Sequence, residues 1–247
     1  MKATVSHKGI EYTVDLNQGI DLSIPIQTGD SVNAYHAHPV KMEPYTEGDW
    51  IGAVAQGGTV NYRNIFFNPH GNGTHTECVG HIDKTIYSVN QHLKQSHCVA
   101  QLLSIQPVEL ENGDCVITKE LLLQLEEADG AIIRTLPNDD SKLTRNYSGK
   151  NPPYLDEAAV KLIVENGCKH LILDLPSIDR EEDEGKLLGH KTFWNYPNAP
   201  RMDCTITELA FIPNRVQDGL FLLNLQVAPF ENDAAPSRPL IFPLKAI

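Results

Sequence analysis

Apolar and polar positions along this chain fall into short alternating runs, which predict mostly strands, with helical spacing confined to the middle. Residues 1–20 read as a hairpin, in which Ala3-Thr4-Val5 and Glu11-Tyr12-Thr13-Val14 flank a turn at Lys8-Gly9. Asp21-Leu22-Ser23-Ile24-Pro25-Ile26 is a short apolar segment ended by turn residues. Residues 27–68 are rich in Gly, Pro, His and aromatics and have little helical period, so a loop-laden β region is expected. Thr118 is placed to cap a helix over residues 119–128, closed by Gly130. A second helix is predicted over 156–165, with Ala159, Val160, Leu162 and Ile163 on its apolar side and Gly167 at its end. Ala131-Ile132-Ile133-Arg134-Thr135 and Leu171-Ile172-Leu173-Asp174-Leu175 read as buried strands. This order predicts parallel βαβ packing, and the apolar runs 220–227 and 239–244 supply later strands. The fold class is α/β with a large β share.

Composition narrows the function. The 247 residues carry a formal net charge of -12, and no Lys/Arg cluster exceeds two residues. Nucleic acid needs a basic footprint, and an anionic membrane surface repels an acidic chain, so neither is an expected partner. No apolar run approaches the roughly 18 residues that cross a bilayer. The first eight residues lack the apolar core of a signal peptide, so a cytoplasmic protein is expected. The five cysteines, at 78, 98, 115, 168 and 204, are odd in number and show no C-x-x-C spacing, which favours reduced thiols.

The chemistry concentrates in His70-Gly71-Asn72-Gly73-Thr74-His75-Thr76-Glu77-Cys78-Val79-Gly80-His81. Three histidines and a glutamate there can all bind a divalent metal. In an extended chain, side chains alternate faces, so His75, Glu77 and His81 point one way and Cys78 the other. A helix is disfavoured, because each glycine costs roughly 1 kcal/mol in a helix interior. An irregular strand gathering ligands around one point is the expectation.

These residues resemble a known family. Gly73-Thr74-His75-x-Glu77-x-x-x-His81 is similar to the HxGTHxDxPxH signature of the metal-dependent cyclase-type hydrolases, which include bacterial kynurenine formamidase and isatin hydrolase. Asp21-Leu22-Ser23-Ile24-Pro25-Ile26, Ile133-Arg134-Thr135 and Leu173-Asp174-Leu175-Pro176-Ser177-Ile178-Asp179 look like further family segments in the same order. His190 and Glu208 fall where the family has a histidine ligand and a late glutamate ligand. The resemblance implies a single domain over residues 1–247, of the swivelling β/β/α type with a β-barrel-like core and outer helices. It implies His70, His75, Glu77, His190 and Glu208 as metal ligands, and His81 as the catalytic acid/base. A homodimer or homotetramer, often with a neighbour closing the pocket, is implied too. Three departures stand out: family spacing puts the first histidine at Gly71 rather than His70, Glu77 replaces an aspartate, and Val79 replaces a proline. A one-residue bulge would return His70 to the site.

Imidazole with carboxylate suits Zn²⁺, Mn²⁺ or Fe²⁺ and is too rich in nitrogen for Ca²⁺; one or two ions are expected, Zn²⁺ ahead of Mn²⁺. An open coordination position lets a metal lower the pKa of water from 15.7 to roughly 7. Attack on an acyl carbon and cleavage of a C–N bond then need a proton for the leaving amine, a task suited to histidine. The expected substrate is a small amide, cyclic amide or N-formyl compound (arylformamidase-like). A lactone, or a non-catalytic metal- or small-molecule-binding member of the fold, are the alternatives. His7, His36, His38, His92, His97 and His170 read as ordinary surface or core residues, although Tyr35-His36-Ala37-His38 would put two histidines on one strand face. Phe66, Phe67 and Trp194 read equally as core or pocket wall. The acidic run Asp179-Arg180-Glu181-Glu182-Asp183-Glu184 reads as a solvated loop.

Overall fold

A computed structural model describes all residues, Met1–Ile247. Its frame is a nine-stranded mixed sheet that curls into a half-barrel, with few helices. The strands in chain order are β1 (Ile20–Asp21), β2 (His75–Glu77), β3 (His97–Ile105), β4 (Gly130–Thr135), β5 (His170–Leu173), β6 (Thr205–Glu208), β7 (Gly219–Asn224), β8 (Ala234–Pro236) and β9 (Leu240–Pro243). Across the sheet they run β8-β2-β6-β5-β4-β3-β7-β9-β1. Strands β3, β4, β5 and β6 are parallel, and every other pairing in the sheet is antiparallel. The expected barrel-like core is therefore open: β8 and β1 form two free edges that do not pair with each other.

The parallel strands read as continuous apolar runs because both their faces are covered. Ala131 and Ile133 of β4, with Leu171 and Leu173 of β5, pack into a large cluster on one side. Ile132 and Ile172 point into a second cluster on the other. The three α-helices are α1 (Val89–His92), α2 (Glu157–Glu165) and α3 (Leu188–Trp194). Helix α2 follows its pattern: Asp156 Oδ1 accepts the Ala159 N–H at 2.6 Å, and Ala159, Val160 and Ile163 are buried. Gly167 takes the left-handed φ of +80° that ends the helical segment. The expected hairpin is present as Lys2–His7 against Ile10–Asp15, with Lys8 and Gly9 both at positive φ.

The helix expected over 119–128 is replaced by a 3₁₀ turn, Lys119–Leu122, and Thr118 makes no side-chain cap. Gln101 on β3 accounts for the interruption. Its amide accepts the Glu126 N–H at 2.6 Å and donates to the Gln124 carbonyl at 3.2 Å, diverting groups that a helix would pair internally. Residues 27–68 hold two small antiparallel pairs, Lys41–Pro44 with Arg63–Phe66 and Thr46–Glu47 with Trp50–Ile51. Tyr35 and His36 form a turn with φ of 54° and 53°, so His36 and His38 do not share a strand face.

A buried ion pair ties the ends of β4 and β5 together beneath the site. Lys142 Nζ donates to Asp174 Oδ2 at 2.7 Å and to the Thr135 carbonyl at 2.7 Å, while the Thr135 N–H donates to Asp174 Oδ2 at 2.8 Å. Burial raises the Asp174 pKa, against the pull of Lys142. Lys142→Met should strand this carboxylate and cost about 3–5 kcal/mol in denaturant unfolding, with Asp174→Asn recovering part of the loss in the double variant. His170 supplies a second prediction. It is fully buried, its Nδ1 lies 2.9 Å from Thr205 Oγ1, and burial lowers its pKa to about 4. The unfolded chain takes up this proton below the ordinary histidine value of about 6.5, whereas the native state resists until about pH 4. Stability is therefore lost as pH falls through that window, by up to about 1.4 kcal/mol per unit from this residue. Unfolding of His170→Gln across that window should show a shallower acid limb.

Candidate functional site

Sheet register assembles the first part of the site. On β2, His75 and Glu77 share a face because they are two residues apart. Strand β6 runs antiparallel beside it with Glu208 directly opposite His75, and His75 Nε2 lies 3.4 Å from Glu208 Oε2. Strand β2 ends at Glu77, and Val79–His81 forms a 3₁₀ turn rather than more strand. That turn swings His81 back, so its Nδ1 lies 3.7 Å from Glu77 Oε2. Val79, in the place of the family proline, is fully buried in the larger core cluster.

His70 arrives by a different route from the bulge expected. Residues 68–72 form a turn, with the Asn72 N–H donating to the Asn68 carbonyl and Asn72 Oδ1 accepting the Asn68 N–H. His70 Nδ1 comes within 3.2 Å of Glu77 Oε2. A Cβ on Gly71 would collide with the Ala37 side chain and the Ala34 carbonyl. Ala34 and Ala37 leave no room for a side chain at 71, and the imidazole that reaches Glu77 comes from the preceding residue.

Helix α3 contributes His190. Its Nδ1 lies 2.6 Å from Asp179 Oδ2, and its Nε2 lies 3.1 Å from Glu77 Oε1 and 4.0 Å from Glu208 Oε1. Asp179 also accepts the N–H groups of Gly189 and His190, at 2.6 and 3.1 Å, and is buried. The solvated-loop reading of the acidic run therefore fails at its first residue. Glu208 is fixed in turn, since Oε1 accepts the Ile178 N–H at 3.0 Å.

Asp233 is the residue that the sequence pattern did not flag. Its Oδ2 lies 2.9 Å from His70 Nε2 and 3.3 Å from His81 Nδ1. It immediately precedes edge strand β8, and its carbonyl accepts the Cys78 N–H at 3.0 Å. Only the pairing of β8 with β2 brings it to the site.

The electrostatics follow from this crowding. Burial opposes ionisation of Glu77, but the neighbouring His81, His190 and His70 outweigh it and hold the carboxyl well below its usual range. Burial opposes charge on His70 and His190 too. Asp233 and Glu77 nevertheless push His70 up to about 10, and Asp179 and Glu77 do the same for His190. Two sets of donor atoms lie within 4.8 Å of one another, His70-Glu77-His81 and His75-Glu77-Glu208, and Glu77 belongs to both. Either set can hold a metal ion.

The site opens into a cavity of about 290 Å³ lined by Tyr35, His70, His81, Asp179, His190 and Glu208 among others. Tyr35, Ala37 and Asn68 also line a larger groove of about 860 Å³ beside it, where His36, His38, Phe66 and Phe67 lie. Trp194 is buried core, its ring centroid 5.4 Å from that of His190. Cys78 is buried and faces the Tyr87 carbonyl. His7, His92, His97 and His170 belong to neither set of donors.

The model of the family described as "Putative cyclase" matches residues 20–180. The chain belongs to the cyclase family. No curated protein matches it. Among solved structures it is similar to a "potential metal-dependent hydrolase with cyclase activity", at TM-score 0.64 and 18% identity over 91% of this chain and 97% of that one. A predicted metal-dependent hydrolase from Bacillus stearothermophilus gives TM-score 0.63 and 18% identity, covering 91% and 98% of the two chains. An isatin hydrolase bound to the product analogue thioisatinate gives 0.64 and 13%, covering 92% and 93%. At these identities the likeness shows a shared fold.

Gly71→Ala should displace the 68–72 turn and cost about 1–3 kcal/mol in denaturant unfolding, the usual range for overpacking a tight site. An unchanged midpoint would show that the turn moves freely.

Proposed function

We propose that this cyclase-family protein is a metal-dependent hydrolase of a C–N bond in a small amide, cyclic amide or N-formyl compound. In this reading His70, His75, Glu77, His190 and Glu208 hold one or two divalent ions, Zn²⁺ or Mn²⁺. The observation that carries it is a pair of buried atoms that close no hydrogen bond although ionisable groups face them: His75 Nε2, 3.4 Å from Glu208 Oε2, and Glu77 Oε2, 3.2 Å from His70 Nδ1. Buried polar atoms without partners are expensive, and these two lie among further donors of the kind that bind transition metals. The other nitrogen of each imidazole already has a backing acceptor: the Gly73 carbonyl for His75, Asp179 for His190 and Asp233 for His70. That arrangement of an outer acceptor behind each ring is typical of metal-ligating histidines. It turns one bare nitrogen per ring toward Glu77 and Glu208.

A divalent ion bound there would supply Lewis acidity and acidify a water toward neutral pH. The protein's own groups do the rest. His81, about a third exposed (32%) and lining the cavity, would hand a proton to the leaving nitrogen. The cavity of about 290 Å³ limits the reacting end to a small group, while the adjoining groove gives room for an apolar extension past Tyr35 toward Phe66 and Phe67. A lactone would use the same groups, differing only in the leaving atom.

Elemental analysis of purified protein, with assays on N-formyl, cyclic amide and lactone panels before and after chelation, tests the proposal. Activity should vanish on metal removal and return with Zn²⁺ or Mn²⁺. His75→Ala and Glu208→Ala should each lose bound metal and fall by at least about 100-fold in kcat/KM, beyond what loss of a supporting residue costs. Full activity in either variant would sink the assignment.

A further inference from the structure

One carboxylate in this site faces two imidazoles from opposite sides of their rings. Asp233 Oδ2 meets His70 at Nε2, 2.9 Å away, and His81 at Nδ1, 3.3 Å away. The two rings lie close together, with centroids 4.4 Å apart. An ionised carboxylate only accepts, so both ring nitrogens facing it must carry protons. Every polar contact of the His81 ring, to Asp233 and to Glu77, is made at Nδ1.

We propose that Asp233 is a positioning residue that imposes opposite ring states on two neighbouring histidines. It holds a proton of His70 on Nε2, so that Nδ1, which faces Glu77, is the nitrogen left to ligate once a metal displaces its proton. It holds the proton of His81 on Nδ1, which leaves Nε2 for the cavity. The same oxygen thus prepares one imidazole to ligate and the other to exchange a proton with substrate. The inference deepens the hydrolase reading and rests on it for the role given to substrate.

Three features support it. Asp233 is held in place by backbone, because its carbonyl accepts the Cys78 N–H and the next residue, Ala234, pairs with Glu77. The same rule operates elsewhere in the site, where Asp179 backs His190 at 2.6 Å. Asp233 Oδ2 makes its side-chain hydrogen bonds to these two rings alone.

The test compares wild type, Asp233→Ala and Asp233→Asn in three measurements. Long-range ¹H–¹⁵N spectra of histidine-labelled, zinc-loaded protein report which ring nitrogen of His81 carries the proton. Zinc competition against a chromogenic chelator reports affinity. Steady-state kinetics on the best substrate report kcat and KM separately. We expect His81 to carry its proton on Nδ1 in wild type and to lose that preference in Asp233→Ala. Zinc affinity and kcat should each fall about 10–100-fold in Asp233→Ala, the usual effect of removing a residue behind a ligand, while KM changes little. Asp233→Asn keeps an oxygen acceptor of the same shape without the charge, so it should retain the His81 ring state and lose less, and it carries the comparison if the alanine variant folds poorly. An unchanged His81 ring state with wild-type zinc affinity in Asp233→Ala would overturn the proposal. If wild type binds zinc with His81 fixed as described but turns over no substrate, the hydrolase reading falls and the positioning role of Asp233 stands.

Discussion

The site is organised by the need to keep a charged carboxylate out of water. Glu77 is fully buried at the end of a short strand, where an isolated anion would be driven to take up a proton. It stays charged because His70, His81 and His190 converge on it from three separate elements: a turn before the strand, a 3₁₀ turn after it and helix α3. Two of those imidazoles have acidic groups behind them, Asp233 for His70 and Asp179 for His190, while His81 meets Asp233 at the same nitrogen that faces Glu77. The result is a layered arrangement of acid, base and acid, in which each layer sets the charge of the next.

That dependence explains why the site needs so large a frame. A carboxylate and a histidine can be set opposite each other with little slack only if their backbones are paired, which the β2–β6 ladder does for His75 and Glu208. The ladder in turn is held by parallel strands buried on both faces and locked at one end by Lys142 and Asp174. Leu209, just past Glu208, takes a left-handed φ of 52°, and its carbonyl accepts the Thr74 hydroxyl at 2.5 Å. Such a conformation costs roughly 1–2 kcal/mol in a non-glycine residue. The fold tolerates it where β6 must stop and the chain must turn away from the cavity.

Much of this was legible in the residues, for local reasons. Helix α2 follows its apolar spacing and its Asp156 cap, and β4 and β5 follow their apolar runs, because those signals lie within the segment they describe. The His75-x-Glu77 alternation put both side chains on one face for the same reason. What escaped depended on partners distant in sequence. The helix expected over 119–128 gave way to a side chain of β3, which no local pattern reveals. The position of His70 turned on a steric clash between Gly71 and the 34–37 turn. Asp179 looked like one acid in a solvated run, and only the approach of helix α3 buries it. Asp233, in an unremarkable stretch near the end of the chain, meets His70 across 163 positions of sequence.

Strand β8, which delivers Asp233, lies at the rim of the sheet, paired along its length with β2 and tied on its other side only at its end, where the Pro236 carbonyl accepts the Ala228 N–H at 2.9 Å. Rim strands fray first, since fewer bonds must break to free them. Peeling β8 away would withdraw the acceptor shared by His70 and His81 while leaving the His75–Glu208 pair inside its ladder. The constellation would therefore come apart in order, the contacts of His70 and His81 with Asp233 first and the His75–Glu208 pair last. Local breathing at one margin of the protein would then set the tempo at which the cavity gains or loses competence, without any movement of the core.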